Sequence, residues 1–98
     1  MSTRIVELHP SAVDDARAAR VWYAARSELA EAAFMAELDA AISRIAAAPL
    51  RYPNHIQGTR RYLFKRFPFA VVFRVTNEAV TVIAIAHARR SPGYWSAR

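Results

Sequence analysis

The chain has 98 residues, of which 54% are hydrophobic, so it can form one domain with a modest core and is too apolar to be disordered. It contains no cysteine, which excludes disulfides and cysteine-based metal sites. No apolar run approaches the roughly 20 residues that span a bilayer, and the N-terminal residues lack a secretory pattern. We therefore expect a cytoplasmic protein with a single domain over residues 1–98 and no membrane association.

The positive charge is concentrated in the second half of the chain. Residues 1–50 carry five Arg and seven Asp or Glu, a net charge of −2, whereas residues 51–98 carry eight Arg, one Lys and one Glu, a net charge of +8; together they give the +6 of the whole chain. A GC-rich genome is one explanation for abundant arginine. The other is recognition of phosphate or carboxylate, which suits the planar guanidinium group. The asymmetry indicates an anionic partner for the second half.

The first half predicts one strand and two helices. Alternating residues over 4–8 predict a short strand. Ser11 and Asp14 have the spacing of a capping box and predict a helix that runs to about residue 26, with Trp22 and Tyr23 as core anchors. Ser27 predicts the start of a second helix, which ends before Pro49. Because the link between them is very short, the helices should form an antiparallel hairpin.

The second half predicts three strands, over residues 60–67, 70–75 and 79–87, separated by short turns that favour an antiparallel meander. The element order is therefore β-α-α-β-β-β. This order predicts an α+β fold in which an N-terminal helical hairpin packs on one face of a small antiparallel sheet.

The last two strands are apolar on both faces, although a helical hairpin can cover only one. In the last strand, strict alternation places Val80, Val82, Ala84 and Ala86 on one face and Ile83 and Ile85 on the other. The preceding strand likewise presents Val72 on one face and Val71 and Phe73 on the other. An uncovered face should carry polar residues. We therefore expect a cover on the open face, either the C-terminal tail or a partner protein, and the shortness of the tail favours the partner.

Three motifs, taken with this element order, resemble the RelE/ParE superfamily of toxins from bacterial type II toxin–antitoxin, or plasmid-stabilisation, systems. They are Arg60-Arg61, Arg66-Phe67-Pro68-Phe69 and His87-Ala88-Arg89-Arg90-Ser91-Pro92-Gly93-Tyr94-Trp95. The resemblance covers nearly the whole chain and implies a cognate antitoxin as partner. It also assigns the apolar residues of the sheet to antitoxin contact. These residues are Val71, Phe73, Ile83 and Ile85.

The superfamily has two functional branches. The ParE-like branch poisons DNA gyrase and needs a rigid binding surface rather than catalytic groups. The RelE-like branch cleaves mRNA on the ribosome, and His87, Arg89 and Tyr94 would then be catalytic, because RNA cleavage needs proton donors and acceptors beside cations that hold the phosphate. Matching the RelE motif position by position finds Leu63, Ala70 and Ala88 where that branch has basic residues. The sequence therefore favours a ParE-like gyrase poison, with the ribosome-dependent nuclease as the alternative.

For either target, the basic residues of the second half predict a surface for the target or for nucleic acid. The residues assigned to it are Arg60, Arg61, Lys65, Arg66, Arg74, Arg89, Arg90 and Trp95. Ordinary solvated charge on an edge strand is the competing explanation for several of them. No pair of histidines has metal-ligand spacing and no glycine-rich phosphate loop is present, so the sequence predicts neither a metal nor a cofactor.

Overall fold

The computed structural model describes residues 4–91 and 93–98. Its helices and strands follow the predicted order. They are β1 (Ile5–Leu8), α1 (Pro10–Ala24), α2 (Glu28–Ala47), β2 (Arg60–Leu63), β3 (Phe69–Val75) and β4 (Ala79–His87). Two short 3-10 turns, Pro49–Arg51 and Ile56–Gly58, lie in the connection between α2 and β2.

The four strands form one sheet in the order β1-β4-β3-β2. The pairs β2–β3 and β3–β4 are antiparallel, as the meander predicts, whereas β1 lies parallel to β4. The predicted α+β fold is confirmed, and the parallel first strand makes the sheet mixed rather than wholly antiparallel. Pairing across such a long separation leaves no local signal in the sequence.

The two helix starts show how local chemistry sets the hairpin. At α2 the prediction is confirmed, because the Ser27 side chain accepts a hydrogen bond of 2.9 Å from the backbone amide of Ala30. At α1 the predicted capping box is wrong. His9 is the N-cap instead, and its Nδ1 accepts a hydrogen bond of 3.0 Å from the amide of Ser11. Pro10 then occupies the first helical position, where its missing amide hydrogen costs nothing.

An aromatic cluster centred on Phe34 fills the space between the hairpin and the sheet. The Phe34 ring is fully buried and lies between 5.2 and 5.7 Å, centroid to centroid, from four other rings. These rings belong to Tyr23, Phe64, Phe67 and Phe69. The predicted role of Tyr23 as a core anchor is confirmed, but that of Trp22 is wrong: its side chain is 50% exposed, and the Arg26 guanidinium stacks on its ring.

A β-bulge between β3 and β4 changes which residues face the helices. Val72 pairs with Ala84 and Phe73 pairs with Val82, so Ile83 is the extra residue. Alternation is reset at that point, and Ile85 faces the helices together with Val82. Ile83 and Ala84 both join a second cluster on the opposite face. The strict alternation predicted for the last strand is therefore wrong beyond Val82.

Candidate functional site

The C-terminal tail covers the open face of the sheet. Trp95 is only 1% exposed and packs in one cluster with Val72, Ile83 and Ala84, with Tyr94 at the edge of that cluster. The expectation that a partner protein covers this face is therefore wrong. The indole ring of Trp95, from the chain's own tail, covers the apolar centre of the face.

This cover also corrects the antitoxin-contact assignment. Val71, Phe73 and Ile85 lie in the core beneath the helices, and Ile83 lies in the cluster beneath the tail. Each of these four residues is no more than 3% exposed, so none of them offers a surface to another chain. Trp95 is excluded from the target surface for the same reason.

The tail is fastened to the body by a group of three side chains that we name the tail clamp, consisting of Asp15, Tyr94 and Arg98. The Arg98 guanidinium donates two hydrogen bonds to the Asp15 carboxylate, of 2.6 and 3.2 Å. The Tyr94 hydroxyl donates a third to the same carboxylate at 3.3 Å. Such a bidentate, charge-assisted contact fixes both distance and orientation, so α1 and the tail are held in one geometry.

The tail clamp also completes the hydrogen bonding of β4. Strand β1 ends opposite Val82, which leaves the next part of β4 without a neighbouring strand on that side. There the amide of Ile85 donates to Asp15 at 3.1 Å, and Arg98 donates to the carbonyl of Ile83 at 3.2 Å. Buried backbone groups need such partners. Asp15 was not among the predicted site residues, although its position three residues after Ala12 and four before Ala19 places this carboxylate on the buried face of α1.

Two grooves lie on either side of a ridge formed by Pro68, His87, Arg90 and Tyr94. The helix-side groove has a volume of about 340 Å³, and Ala18 and Trp22 of α1 form its far wall. The sheet-side groove has a volume of about 310 Å³ and a floor that includes Leu63, Ala70, Val72 and Ala86. The Arg90 guanidinium lies 3.8 Å from the centre of the Tyr94 ring, which holds this cation over the ridge.

Arg61, Arg90 and His55 all line the sheet-side groove, so this groove carries positive charge above an apolar floor. Burial lowers the pKa of His55, and the neighbouring Arg61 lowers it further. His55 also packs against Trp95, with ring centroids 6.1 Å apart. These contacts give His55 a structural role beneath the tail.

His87, the predicted acid–base residue, is already engaged with its own backbone. Its Nδ1 accepts a hydrogen bond of 3.0 Å from the amide of Arg89, and its ring lies edge-on to Phe69. An Nδ1 that accepts a hydrogen bond assigns the proton of the neutral ring to Nε2. That nitrogen then lacks the lone pair that a general base needs.

Tyr94, the second predicted catalytic residue, directs its hydroxyl at Asp15. Burial raises the pKa of Tyr94, and the adjacent Asp15 carboxylate raises it further against the opposing effect of Arg98. A phenol with a raised pKa that already donates to a carboxylate is a poor proton donor for a leaving group. Arg89 is exposed. The structure thus brings His87 and Tyr94 to one ridge without assembling an acid–base pair.

The remaining basic residues of the predicted surface fall into different environments. Arg60 donates to the carbonyl oxygens of Tyr52 and Leu50, at 2.6 and 3.4 Å, and so fastens the loop before β2. Arg74 donates to the carbonyl oxygen of Gln57 at 3.4 Å. Arg61 and Arg90 share the sheet-side groove, whereas Lys65 lines a separate groove at the β2 edge. The predicted residues therefore do not act alike, because Arg60 and Arg74 hold loop carbonyls whereas Arg61, Arg90 and Lys65 line grooves.

Arg66 is tied to a buried carboxylate on α2. Glu37 is 8% exposed and accepts hydrogen bonds from the backbone amides of Lys65 and Arg66 and from the Arg66 guanidinium. Burial by itself raises the pKa of Glu37, but these hydrogen bonds and the positive charge lower it by more, so the pKa lies below its usual value of 4.5. The turn between β2 and β3 is thus anchored by an ionised carboxylate.

We expect Glu37→Gln to lower the free energy of unfolding by about 1–2 kcal/mol at neutral pH, since a charge-assisted contact becomes a neutral one. A carboxyl with a lowered folded pKa stabilises the fold fully above the unfolded value near 4.5 and loses that contribution as the pH falls through the folded pKa. Urea unfolding at neutral and acidic pH should therefore show that acid lowers the free energy of unfolding less in the variant than in the wild type.

The control is Asp39→Asn, which removes an exposed carboxylate from the same helix. This variant should leave both the neutral-pH stability and the acid-induced loss nearly unchanged. Equal behaviour of the two variants would contradict a stabilising role for Glu37.

The described part of the chain contains neither a membrane-spanning helix nor a cluster of metal-ligating side chains. None of its helices has the length and apolarity to cross a bilayer. No three His, Cys, Asp or Glu side chains in residues 4–91 and 93–98 are grouped so that they could hold a metal ion.

The chain is similar to known proteins of one family. The family model described as "ParE toxin of type II toxin-antitoxin system, parDE" matches residues 6–92. The chain is 28% identical over 91 residues to the protein named "Toxin ParE2" in two strains of Mycobacterium tuberculosis, CDC 1551 / Oshkosh and ATCC 25618 / H37Rv. In both cases the match covers 92% of this chain and 87% of the relative.

A solved structure titled "Chromosomal ParDE TA system from P. aeruginosa" has the same fold. The TM-score is 0.77 at 18% identity, and the match covers 89% of this chain and 98% of that one. The fold, the match of the family model over most of the sequence and the similarity to these relatives agree with one another. The chain therefore belongs to the ParE toxin family of type II toxin–antitoxin systems.

Proposed function

We propose that this ParE-family toxin poisons DNA gyrase by binding it, rather than cleaving RNA. The observation that carries the proposal is that both acid–base candidates at the ridge are already engaged, His87 by a backbone amide and Tyr94 by Asp15. Arg89 and Arg90, in contrast, are exposed beside them. Binding a protein–DNA complex needs such a fixed cationic surface and no proton transfer.

The tail clamp gives this surface its rigidity. Arg98 and Tyr94 hold the tail against α1 through Asp15, and Arg90 stacks on the Tyr94 ring that the clamp fixes. A cation that is already held in place loses less conformational entropy on binding than a free side chain. The ridge therefore presents Arg90 in a prepared position at the mouth of both grooves.

A cognate antitoxin, which we propose as the second partner, requires a surface other than the buried sheet. Exposed apolar side chains of the hairpin offer one: Val21 is 64% exposed, Trp22 50% and Leu29 84%. Exposed apolar residues of this size are typical of protein interaction sites, and the +8 charge of residues 51–98 favours a partner that also carries an acidic segment. Since gyrase acts on chromosomal and plasmid DNA, the proposal also includes a cytoplasmic location.

A supercoiling assay with purified gyrase, read for lost supercoiling and for trapped cleaved DNA, tests the proposal. We expect the wild-type toxin to inhibit supercoiling with accumulation of cleaved DNA. Replacing Arg89 and Arg90 together with Gln should weaken inhibition by roughly tenfold or more, since two charge contacts of about 1 kcal/mol each are lost. The Tyr94–Asp15 contact is kept in this variant, so its fold should remain intact by circular dichroism.

The matched control replaces Arg17 and Arg20 of α1 with Gln, which removes the same charge from two exposed side chains that line neither groove beside the ridge. It should inhibit gyrase like the wild type. Folded wild-type toxin that halts growth in cells but leaves gyrase unaffected, and that cleaves mRNA on purified ribosomes, would overturn the proposal.

A further inference from the structure

A third groove lies at the edge of the sheet, outside the ridge and its two grooves. It has a volume of about 430 Å³. We name it the β2-edge groove, and its lining residues are Arg44, Arg51, Tyr52, Tyr62, Leu63 and Lys65. Its three cations come from three separate segments: the last turn of α2, the 3-10 turn after it, and the residues that follow β2. The lining contains no carboxylate.

These cations carry charge that the described part of the chain does not neutralise by ion pairing. The ion pairs within residues 4–91 and 93–98 use Arg17, Arg20, Arg66 and Arg98, and none uses a cation of the β2-edge groove. The nearby carboxylate of Glu37 is buried and directed at the amides of Lys65 and Arg66. Arg44, Arg51 and Lys65 are all exposed, so an external anion can reach them.

Arg44 is held in place within the groove. Its guanidinium donates a hydrogen bond of 2.9 Å to the hydroxyl of buried Tyr62, and this contact raises the pKa of Arg44. A cation in the last turn of a helix also complements the helix dipole, which is a sufficient structural reason for Arg44 alone. It does not account for Arg51 and Lys65, which converge on the same groove from other segments.

The β2-edge groove adjoins the sheet-side groove through a shared wall. Leu63, the last residue of β2, lines both grooves and is 61% exposed. Positive charge therefore continues from Arg61 and Arg90 on the open face, past Leu63, to the cations at the sheet edge. A track of this form fits a chain with regularly repeated negative charges better than it fits a single acidic side chain.

We propose that the β2-edge groove is a nucleic-acid site, in which Arg51 and Lys65 contact backbone phosphates of DNA that continues from the sheet-side groove. This site rests on the proposed function, because the DNA would be the segment held by gyrase. DNA binding itself can nevertheless be measured with the toxin alone. Guanidinium and ammonium groups both bind phosphate, and the arginine fork does so with two parallel hydrogen bonds. Arg44 supports the groove from its inner side.

Fluorescence anisotropy with a short labelled DNA duplex, over a titration of salt, tests the site. The double variant Arg51→Gln/Lys65→Gln should bind the duplex roughly tenfold more weakly than the wild type at low salt. Its plot of log affinity against log salt should be shallower by about 1.8, because each phosphate contact contributes about 0.9 to the slope. Arg44 is left unchanged, so the Tyr62 contact and the fold are preserved.

The control Arg17→Gln/Arg20→Gln removes the same charge from α1, outside the grooves, and should leave the slope unchanged. An equal loss of affinity in the two variants would show that only the net charge matters and would overturn the site. Wild-type protein that does not bind the duplex would also overturn it. Unchanged DNA binding by the groove variant, with weaker binding of labelled polyglutamate, would assign the groove to an acidic protein segment instead. If only the groove variant loses DNA binding and the wild-type toxin does not inhibit gyrase, the site is retained and the proposed function is refuted.

Discussion

Replacing Trp95 with Ala is expected to lower the free energy of unfolding by about 3–4 kcal/mol, within the range measured for large aromatic residues truncated in protein cores. Trp95 is 1% exposed and is the largest fully buried side chain of the described chain. It covers Val72, Ile83 and Ala84 on the open face. Its removal exposes this apolar face to water, so the variant should also self-associate.

Urea denaturation and sedimentation measure the two effects. Trp22→Ala is the matched control, because Trp22 is 50% exposed, with Arg26 stacked on its ring and Tyr23 meeting it edge-on. We expect this variant to lose less than about 1 kcal/mol and to stay monomeric at the same concentration. Trp95→Phe should fall between them, since a smaller ring retains part of the cover. Equal stability of the two alanine variants would show that the tail does not pack on the sheet.

Replacing Asp15 with Asn is expected to cost about 2–3 kcal/mol. Breaking a buried pair from one side costs about 3–5 kcal/mol, and the figure is reduced here because the Asp15 and Arg98 side chains are still 13% and 18% exposed. The loss leaves the Arg98 guanidinium without its counterion and weakens the acceptor for the Ile85 amide. The tail should then detach more readily, which limited proteolysis detects as faster cleavage near the C-terminus.

The neighbouring residue provides a close control. Asp14 also pairs with an arginine, Arg17, but both side chains are about 70% exposed, and exposed pairs contribute well under about 1 kcal/mol. Asp14→Asn should therefore be nearly neutral. A double-mutant cycle with Arg98→Gln should give a coupling of about 1–2 kcal/mol to Asp15. A coupling near zero, or equal costs for the two aspartates, would argue against the tail clamp.

Local signals in the sequence predicted most of the fold. The range predicted for the last strand, residues 79–87, is the range of β4, and the Ser27 cap is confirmed, because alternation and capping depend on residues close together in the chain. The resemblance to the RelE/ParE superfamily is confirmed as well, by the family model that matches residues 6–92. The predicted second strand was too long, since the chain leaves the sheet after Leu63.

Apart from the local errors at the α1 cap, Trp22 and the end of β2, the errors arose where distant parts of the chain meet. The bulge at Ile83 depends on the pairing of two strands, and it moved Ile85 to the helix side. The tail clamp joins Asp15 to Tyr94 and Arg98, which lie 79 and 83 positions later in the chain, a separation over which periodicity carries no information. For the same reason the sequence predicted one surface for all the arginines, although several of them bind backbone carbonyls or a buried carboxylate in the structure.

The parallel pairing of β1 with β4 also determines when the toxin can finish folding. Ile5 pairs with Ala79, so the first strand leaves the ribosome long before its neighbour exists. Pairings between distant segments form late, because the entropy of closing a long loop must be overcome first. The tail clamp requires still later residues, Tyr94 and Arg98. A nascent chain of this protein therefore lacks the tail clamp, and the ridge geometry that it fixes, until its last residues have been synthesised.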